Sequence, residues 1–494
     1  MARAWWFRQG LGGVSMSFCR VLISAELKTL SALHVGSGVE KEQGKESYST
    51  LYLDFNKKPY LPASSLRGVL ASAVPYFFKN ENENKVRQCF FGNSHFDDSK
   101  EEGILRVFDA TLESLPSFKD KVNTLEQGTI LRTSISINPI LGVAEEHHLF
   151  SLEIVPEGAV FKLEMSLESL NKEVTEENIK QFCGLLFACW DGKQFATVGA
   201  GRSKGFGLVK LENLKVRYLT TDALAQWLKD GQPHELNKSY KDWQYPTAEL
   251  DILKKQGYIV EITLVPKTKF LLNDPAFVIK KEEKEDDEPD LAFSRLSDGR
   301  AFIPATALRG WVRGRVRKIL LTIGEEKVEN CLTSLFGDTN HRGVLFFSDL
   351  ISEGNDVSEK QIFNAVDRFT GGVADGALYT VEAVQCKGLT GSVAIHHLSK
   401  HDSISNAEKG PLLLVARDSL EDEFSISNAG KGLLLLVARD LLEGELTLGW
   451  GKSRGFGNFE VVFKMNGEEI KHIHELVRIF QRNDIEQWIN AIKL

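Results

Sequence analysis

The sequence has few cysteines and no long apolar run. Six cysteines are scattered through 494 residues, and no two of them form a CxxC pair. A zinc site built from paired cysteines is therefore not expected, and the scatter is typical of a protein from a reducing compartment such as the cytoplasm. No stretch approaches the ~18 consecutive apolar residues that a membrane-spanning helix needs. We therefore expect a cytoplasmic protein with no membrane partner.

The N-terminus lacks the features of a signal peptide. The first residues, MARAWWFRQGLGGV, contain no long apolar run that ends in a small-residue cleavage pattern. Met16 begins a cleaner strand-like segment, so we expect residues 1–15 to be an extension outside the fold. The sequence alone does not decide whether Met1 or Met16 is the true start.

An excess of positive charge is also missing, because the net charge is -8. That value by itself argues mildly against a nucleic-acid partner. Phosphate binding, however, needs only a local basic stripe. Much of the acidic excess lies in one run, EEKEDDEPD at 282–290, which is typical of a solvated loop.

Internal repetition is the most informative feature that is present. Four sequence blocks occur twice in the same order. The first is YLPASSLRG at 60–68, matched by FIPATALRG at 302–310, and the second is FFGNS followed by GILRVFDA at 90–110, matched by LFGDT followed by GVLFFSDL at 335–350. The third is INPILGVAEEHHLFSLEIV at 137–155, matched by VDRFTGGVADGALYTVEAV at 366–384, and the fourth is GAGRSKGFG at 199–207, matched by GWGKSRGFG at 449–457. The repetition predicts two copies of one domain, at 16–215 and 256–465, with a polar linker at 216–255. A helical segment at 466–494 is predicted to close the chain.

A shorter duplication lies within the second copy. SISNAEKGPLLLVARDSLEDEF at 403–424 is followed at once by SISNAGKGLLLLVARDLLEGEL at 425–446. The later segment is in register with the segment that precedes Gly199 in the first copy. The earlier segment, 403–424, is therefore predicted to be an insertion on the surface.

Hydrophobic periodicity predicts a mixed fold. Apolar and polar residues alternate at 21–36 and 258–272, which predicts strands. Helical spacing follows each LRG block, where Ser64 or Thr306 is a candidate helix cap, and it occurs again at 177–192. Strands and helices mixed in this way predict an α+β fold with a ferredoxin-like core in each copy.

Two of the repeated blocks carry residues suited to binding phosphate. The first places hydroxyls and an arginine at a helix start, where free N–H groups bind anions; the residues are Ser64, Ser65, Arg67, Thr306 and Arg309. The fourth combines glycines with cations and an aromatic ring suited to base stacking; the residues are Arg202, Lys204, Phe206, Lys452, Arg454 and Phe456. Arg313 belongs to a basic cluster at 313–318. An ordinary capped helix and a solvated basic face remain the alternatives that need no ligand.

The four blocks together resemble the CRISPR-associated RAMP superfamily, most closely the backbone subunits (the Cas "seven" family) of type III effector complexes. The resemblance covers nearly the whole chain twice, as in the fused double-backbone subunits of type III-D systems. It implies two tandem RRM-like RAMP domains, each with an inserted β-hairpin, the thumb. It also implies guide CRISPR RNA, target single-stranded RNA and other type III effector subunits as partners. Arg368, within the second thumb region, matches the family's form.

The resemblance further implies an endoribonuclease site. Many such subunits cut target RNA with one aspartate, five residues before a typical arginine, and that spacing selects Asp290 ahead of Arg295, with Asp287 in reserve. The ribose 2′-hydroxyl would attack the adjacent phosphate, while the aspartate accepts the proton or holds a divalent metal ion, Mg²⁺ or Mn²⁺. The corresponding position in the first copy is Tyr48, so that copy is expected to bind RNA without cutting it.

Three other functions remain open at this point. The chain is a purely structural backbone subunit if partner subunits do the cutting. It is a guide-processing RAMP endonuclease if His34 acts as a general acid–base, although His34 has no counterpart in the second copy. A nucleotide-dependent metabolic enzyme is the last alternative, but a dinucleotide-binding glycine loop opens a helix, whereas strand-like residues follow both glycine loops here.

Overall fold

The structure is a computed structural model that describes most of the chain. The described residues are 17–43, 46–78, 81–92, 102–117, 124–125, 127–137, 144–168, 174–192, 196–244, 258–274, 289–325, 328–338, 343–374, 377–395, 427–465 and 467–492. Two predictions fall outside them: the extension at 1–15 and the inserted segment at 403–424. Residues 138–143 of the predicted first thumb region and the reserve candidate Asp287 also lie outside the described residues.

The first repeat is built on a sheet with helices packed on one side. Its strands are β1 (Ser17–Phe18), β2 (Arg20–Thr29), β3 (Gly36–Gln43), β4 (Glu46–Leu51), β5 (Tyr60–Leu61), β6 (Leu105–Val107), β7 (Ala110–Ser114), β8 (Ile130–Ile137), β9 (Ala144–Ile154), β10 (Val160–Leu167), β11 (Val174–Thr175) and β12 (Val209–Leu219). Its helices are α1 (Ala63–Phe77), α2 (Glu81–Phe91) and α3 (Glu176–Cys189). Strand β12 lies beside β2, then β10, then β7, and every one of these pairs is antiparallel. This is the ferredoxin-like order, in which a split βαβ unit is repeated.

Side-chain alternation explains the main strand of that sheet. Buried and half-exposed residues alternate along β2, so one face packs on the helices. Helix α3 begins at a capping box, in which Thr175 accepts the amide of Asn178 and the Asn178 side chain accepts the Thr175 amide. The helix buries Phe182 and Cys183 completely against the sheet. The first repeat therefore has a hydrophobic core of its own.

The second repeat has the same strand order. Its strands are β14 (Tyr258–Pro266), β15 (Phe302–Ile303), β16 (Leu345–Phe347), β17 (Leu350–Ser352), β18 (Val357–Phe363), β19 (Tyr379–Gln385), β20 (Leu389–Ile395), β21 (Phe459–Met465) and β22 (Glu468–Ile470). Its helices are α5 (Ala305–Thr322), α6 (Val328–Phe336) and α7 (Asn428–Leu442). The sheet runs β15, β17, β20, β14, β21, β22, and the core is separate from that of the first repeat. The predicted α+β class with two ferredoxin-like domains is confirmed.

A β-hairpin is inserted between the same two strands of each sheet. In the first repeat, β8 and β9 pair from Ile130 to Ile154 and join β3 and β4 in a four-stranded sheet. In the second repeat, β18 and β19 pair along seven residues each. These hairpins lie where the third repeated block predicts the thumbs.

The segments outside the two cores also contain regular structure. The stretch predicted as a linker includes the end of β12, helix α4 (Thr221–Lys229) and strand β13 (Lys241–Asp242), which pairs with β12. The C-terminal segment contains β22, α8 (Ile473–Ile479) and α9 (Arg482–Ile492). Helix α9 packs on α7 at Gly432, where an added Cβ would collide with the Trp488 carbonyl. No helix in the described part of the chain is both long and apolar enough to cross a membrane.

Candidate nucleic-acid interface

An aspartate caps the first long helix of each repeat. The backbone amide of Ala63, at the start of α1, donates to Asp109 Oδ1 at 2.7 Å, and Ala305 at the start of α5 donates to Asp349 Oδ1 at the same distance. The N-cap residues are Pro62 and Pro304, which offer no side-chain cap. The capping role predicted for Ser64 or Thr306 is therefore wrong, because a carboxylate from the neighbouring strand loop already satisfies that amide.

The repeated arginines of the LRG blocks hold backbone carbonyls. Arg67 donates to the carbonyl oxygens of Phe91, at 2.8 Å, and Leu105, at 3.0 Å. Arg309 makes the matching bond to the Phe336 carbonyl at 2.8 Å. Each arginine also lies over the ring of the phenylalanine whose carbonyl it holds. In each repeat, the arginine of the LRG block therefore holds the FG block in place through the carbonyl of its phenylalanine.

The two glycine loops share one backbone conformation. Arg202–Lys204 and Lys452–Arg454 each form a short 3-10 turn, and the glycines on both sides of each turn have φ between 73° and 85°. Only glycine adopts that left-handed conformation without strain. Strands β12 and β21 follow the loops, which is not the arrangement of a dinucleotide-binding loop.

The phenylalanines of these loops are buried rather than open to a base. Phe206 is 3% exposed and Phe456 is 8% exposed. The Phe206 ring packs under the Arg132 guanidinium, with 5.0 Å from Cζ to the ring centroid. Base stacking needs an accessible ring face, so the stacking role stays a prediction that this arrangement does not favour.

A cleft of about 950 Å³ lies between the two repeats. Helix α1 contributes Ser65 and Gly68, the first glycine loop contributes Arg202, and the second repeat contributes Arg309 and Phe336. Three of the predicted binding residues, from both repeats, therefore line one cavity. Glycines form much of its remaining wall, which allows a ligand backbone to come close.

Two cations, Arg202 and Arg309, line the cleft together with one acidic residue, Asp338. Burial, and secondarily the charge of Arg313, holds the pKa of Arg309 below its usual range. Burial, and secondarily Arg309, likewise lowers the pKa of Lys204 in the adjoining loop. The Nε atom of Arg309 is buried and makes no hydrogen bond within the described part of the protein. An anion placed in this cleft would relieve the repulsion between the cations.

The second glycine loop carries an open arginine on an aromatic cluster. The Arg454 guanidinium lies 5.2 Å from the Trp450 ring centroid and 5.8 Å from that of Tyr379, and it donates to the Tyr379 hydroxyl. In the first repeat, Lys204 Nζ lies 4.1 Å from the Phe150 centroid in the matching position. Both Lys452 and Arg454 are exposed, so the predicted cations of this loop are accessible to a phosphate.

Most of the basic cluster on α5 is engaged in ion pairs. Arg315 binds the buried Asp440 at 2.5 Å, and Arg317 binds Glu329 at 3.0 Å. Arg313 is exposed and lies 3.7 Å from Glu329. These contacts support the structural alternative for the cluster, and a role for Arg313 in binding stays a prediction.

Asp290 lies beside β19 of the second thumb, near the end of the paired strands that leads to the tip. Its amide donates to the Thr380 carbonyl at 2.7 Å, and its Oδ2 accepts the Thr380 amide at 2.8 Å. The next residue, Leu291, forms a parallel bridge to Val381, and Arg295 lies 3.4 Å from Glu382. The segment that bears the predicted catalytic carboxylate is thus fastened to β19.

The first repeat has the same register at Tyr48. Tyr48 pairs with Ser151 on β9 in parallel, as Asp290 lies beside Thr380 on β19. The correspondence between Tyr48 and Asp290 that the spacing predicts therefore agrees with the strand pairing. The first repeat offers no carboxylate at that position.

The tip of the second thumb is fully open. Phe369 is 100% exposed, and its amide donates to Asp367 Oδ1 at 2.8 Å. This bond lowers the pKa of Asp367. Arg368 is also exposed. The tip presents one aromatic ring and one guanidinium on a turn that its own aspartate fixes.

The contacts of His34 are those of a buried structural residue. Its ring is 4% exposed, and Nδ1 lies 2.6 Å from the Glu153 carbonyl oxygen. Its backbone carbonyl accepts the Ala200 amide, which anchors the first glycine loop. The second repeat uses Leu271 at the matching position, where its carbonyl accepts the Trp450 amide.

Four residues to which the sequence patterns assigned no role prove central. Asp109 and Asp349 cap the helices, Arg132 joins the repeats, and Phe369 forms the thumb tip. The repeated FDA and SDL segments did hold a signal for the two aspartates, because Asp109 and Asp349 recur at one position. Nothing in the sequence marked Arg132, whose partner Asp349 is 217 residues away.

Together, the tandem ferredoxin-like domains, glycine loops and inserted hairpins define a double-domain architecture. A family model described as the RAMP superfamily matches residues 26–210 and 254–460, one match for each repeat. The chain belongs to the RAMP superfamily, which indicates a CRISPR-associated, RNA-binding subunit that works within a complex. A comparison with curated proteins found no match.

Proposed function

We propose that the chain is a backbone subunit of a type III CRISPR effector. It binds the guide RNA backbone, shapes the guide–target duplex with its two thumbs, and cuts target RNA at the second repeat. The observation that carries the binding role is the cleft between the repeats, where Ser65, Arg202 and Arg309 converge. Base pairing then selects the target, while the protein contacts backbone and shape.

The cleft suits a phosphodiester better than a neutral ligand. A phosphate lowers the repulsion between Arg309 and Lys204. The open cations Lys452 and Arg454 offer a second contact for the same strand at the other loop. Such contacts carry no sequence preference, as a subunit that accepts any guide requires.

Asp290 is the proposed catalytic residue of the second repeat. Its carboxylate accepts the proton of a target ribose 2′-hydroxyl as that oxygen attacks the adjacent phosphorus. The bond from phosphorus to the 5′-oxygen breaks, and water protonates the leaving oxygen. The products are a 2′,3′-cyclic phosphate and a 5′-hydroxyl end. The Thr380 amide fixes the carboxylate, which lowers the entropy lost in reaching the reactive geometry.

The proposed divalent ion has little support from the protein side alone. The described residues contain no group of three or more histidine, cysteine or acidic side chains that could hold a metal ion. A single carboxylate binds Mg²⁺ only when substrate phosphates and water complete the coordination. Asp290 would be the protein ligand in that case, and the ion would stabilise charge on the phosphate.

The non-catalytic backbone subunit remains a second candidate for one specific reason. The Asp290 carboxylate already has a structural role, because it accepts the amide at the start of β19. A residue kept for that bond alone would need no chemistry. The substitution Asp290→Asn separates the two roles, since the amide oxygen of asparagine still accepts a hydrogen bond whereas the side chain no longer accepts a proton.

The binding role is tested by two matched glycine substitutions on the full chain. Gly68 and Gly310 occupy the same helical position in the two repeats, and an added Cβ meets nothing within 4 Å at either. Gly68 lines the cleft and Gly310 does not. Both changes to glutamate should preserve or raise helix stability, because glycine is a poor helix former.

We expect Gly68→Glu to weaken the binding of single-stranded RNA by about tenfold at low salt, because it places a negative charge in the cleft proposed to bind phosphates. The affinity of this variant for RNA should also depend less steeply on salt concentration. Gly310→Glu should bind like the wild type. Fluorescence anisotropy over a range of salt concentrations measures both. Equal affinity of the two variants would remove the cleft from the binding surface.

A further inference from the structure

Helix α7 lies in a groove formed by α5, α9 and strand β21. Its side chains Leu433, Val437 and Leu441 are at most 4% exposed and belong to the core of the second repeat. The next buried leucine along the chain, Leu446, is fully buried in the same core. The groove therefore accepts a helix in one register, with an apolar side chain at every fourth position.

Three contacts outside the apolar core fix that register. The Ser427 hydroxyl accepts an amide of the first turn at 3.1 Å and caps the helix. At Gly432, an added Cβ would lie 2.4 Å from the Trp488 carbonyl oxygen of α9. The Asp440 side chain is buried and binds Arg315 of α5 at 2.5 Å.

The segment that precedes α7 offers the same three contact residues to the groove. We define the upstream segment as residues 403–424 and the α7 segment as residues 425–446. The contact residues of the upstream segment are Ser405, Gly410 and Asp418, at the positions of Ser427, Gly432 and Asp440. A chain with two equivalent packings does not settle in one of them unless other positions decide.

The length of the connection does not exclude the upstream segment. In the first repeat, residues 168–174 connect β10 with Thr175, the cap of α3. Residues 396–404 would connect β20 with Ser405 in the same way, and they are slightly more numerous. A connection after the helix that is longer by one segment costs little additional entropy.

The choice of segment affects the second glycine loop. Only two residues separate the α7 segment from the loop at 449–457. If the upstream segment lay in the groove, all of 425–448 would intervene. The cations of the loop would then lose their short connection to the core.

The two segments differ at five positions, and four of these are buried in the α7 segment. The upstream residues are Glu408, Pro411, Ser419, Asp422 and Phe424, at the positions of Gly430, Leu433, Leu441, Gly444 and Leu446. Between residues 427 and 446, every exposed position has the same residue in both segments. The differences are therefore confined to buried positions and to the turn that follows the helix.

Two of the differences would disrupt the helix or its core. Pro411, at the position of Leu433, would remove a hydrogen bond in the second turn, and its ring would clash with the preceding turn. Ser419, at the position of Leu441, would leave a cavity and place a hydroxyl in an apolar site. Both changes disfavour the upstream segment in the groove.

The turn after the helix disfavours the upstream segment as well. Gly444 has φ of 85°, and its amide donates to the Leu441 carbonyl at 3.2 Å. Asp422 would have to adopt that left-handed conformation. Phe424 would overpack the fully buried site of Leu446.

We propose that the five differing positions commit the groove to the α7 segment and exclude the upstream segment. The groove distinguishes the two through the side chains that it buries, since the cap, glycine and carboxylate residues are the same in both. The proposal does not depend on whether Asp290 cuts RNA.

The first test compares one substitution in the two segments of the full chain. Asp440→Asn leaves Arg315 and Arg439 beside a neutral amide, so it should lower the melting temperature by about 10 °C, as expected for a broken buried ion pair. Asp418→Asn, the matched change in the upstream segment, should lower it by less than about 2 °C. Differential scanning calorimetry measures both. Equal losses for the two variants would mean that the groove accepts either segment, and the proposal would fail.

The second test makes the two segments identical. The repaired chain carries Glu408→Gly, Pro411→Leu, Ser419→Leu, Asp422→Gly and Phe424→Leu. In this chain Asp440→Asn should cause less than half of the loss that it causes in the wild type, because the upstream segment can then supply the aspartate. An undiminished loss would overturn the role assigned to the five positions.

A pair of deletions provides an independent measurement. Because the segments are adjacent, deletion of either one leaves a chain of the same length with the same flanking residues. Without the upstream segment, the melting temperature should stay within about 2 °C of the wild type. Without the α7 segment, it should fall by about 10 °C or more, since a proline inside a helix alone accounts for most of such a shift. Similar melting temperatures of the two shortened chains would contradict the proposal.

Discussion

The glycines of the two loops allow a direct test of the contact between the repeats. Gly205 and Gly455 have φ of 81–85° and follow the same 3-10 turn. Alanine at either position must adopt the left-handed conformation, which costs about 1–2 kcal/mol. Only Gly205→Ala also places a Cβ against the second repeat, 2.5 Å from Ala305 Cβ and 3.1 Å from the Phe347 carbonyl oxygen.

The extra loss at Gly205 follows from that collision. Overpacking a close contact costs about 1–3 kcal/mol, so we expect Gly205→Ala to lose about 2–5 kcal/mol in all and Gly455→Ala about 1–2 kcal/mol. For domains of 150–250 residues, each kcal/mol lowers the melting temperature by about 2–4 °C. The difference between the variants isolates the contact between repeats, because the backbone strain is common to both.

Differential scanning calorimetry of the full chain provides the assay, and urea denaturation followed by circular dichroism provides an independent measure. The Gly205→Ala transition should lie several degrees below that of Gly455→Ala. Equal losses for the two variants would mean that the first glycine loop does not pack on α5, and the account of the contact between the repeats would fail.

Two other predictions concern single side chains. Arg132→Met should lower the free energy of unfolding by about 3 kcal/mol, since it leaves the buried Asp349 carboxylate without its cation. Its control is Gln361→Met, at the matching position of the second thumb, which should change the free energy of unfolding by less than about 0.5 kcal/mol. Denaturation experiments measure both. Phe369→Ala should leave the free energy of unfolding unchanged because the ring is 100% exposed. The same variant should unstack fewer bases of a guide–target duplex at the thumb, which the fluorescence of 2-aminopurine placed in that duplex measures. Ile362→Ala, at an exposed site on the same hairpin, is its control, and equal effects of the two would remove the special role of the tip.

Much of the fold could be predicted from the sequence because it is repeated. The recurrence of four blocks in one order identifies two domains, and apolar alternation identifies strands such as β2 and β14. The thumb hairpins follow from the third block. These features are local or periodic, so they leave a trace in the order of residues.

The candidate site could be predicted only in part. The spacing that pairs Asp290 with Tyr48 agrees with the strand register, and the cleft does collect Ser65, Arg202 and Arg309. The sequence could not show that the Arg309 guanidinium donates a hydrogen bond to the Phe336 carbonyl, because Phe336 lies on another helix. In a sequence, a repeated arginine that binds a backbone carbonyl cannot be told from one that binds a phosphate.

Burial is the second property that the sequence concealed. A phenylalanine in a glycine loop can stack on a base or close a core, and only tertiary packing decides between these roles. Phe206 and Phe456 are buried, whereas Phe369 is fully exposed at the thumb tip. The helix caps show the same limit, because each capping aspartate lies more than forty residues after the first residue of the helix it caps.

The central claim is that the second repeat cuts target RNA with Asp290. The most direct measurement maps target-RNA cleavage to the nucleotide in the assembled complex, for the wild type, Asp290→Asn and Asp290→Ala, with Tyr48→Ala as the matched change in the first repeat. The account predicts that both Asp290 variants lose one cut while guide and target binding persist, and that Tyr48→Ala keeps every cut. Persistence of all cuts in Asp290→Asn would contradict it, and the carboxylate would then serve only to hold the start of β19.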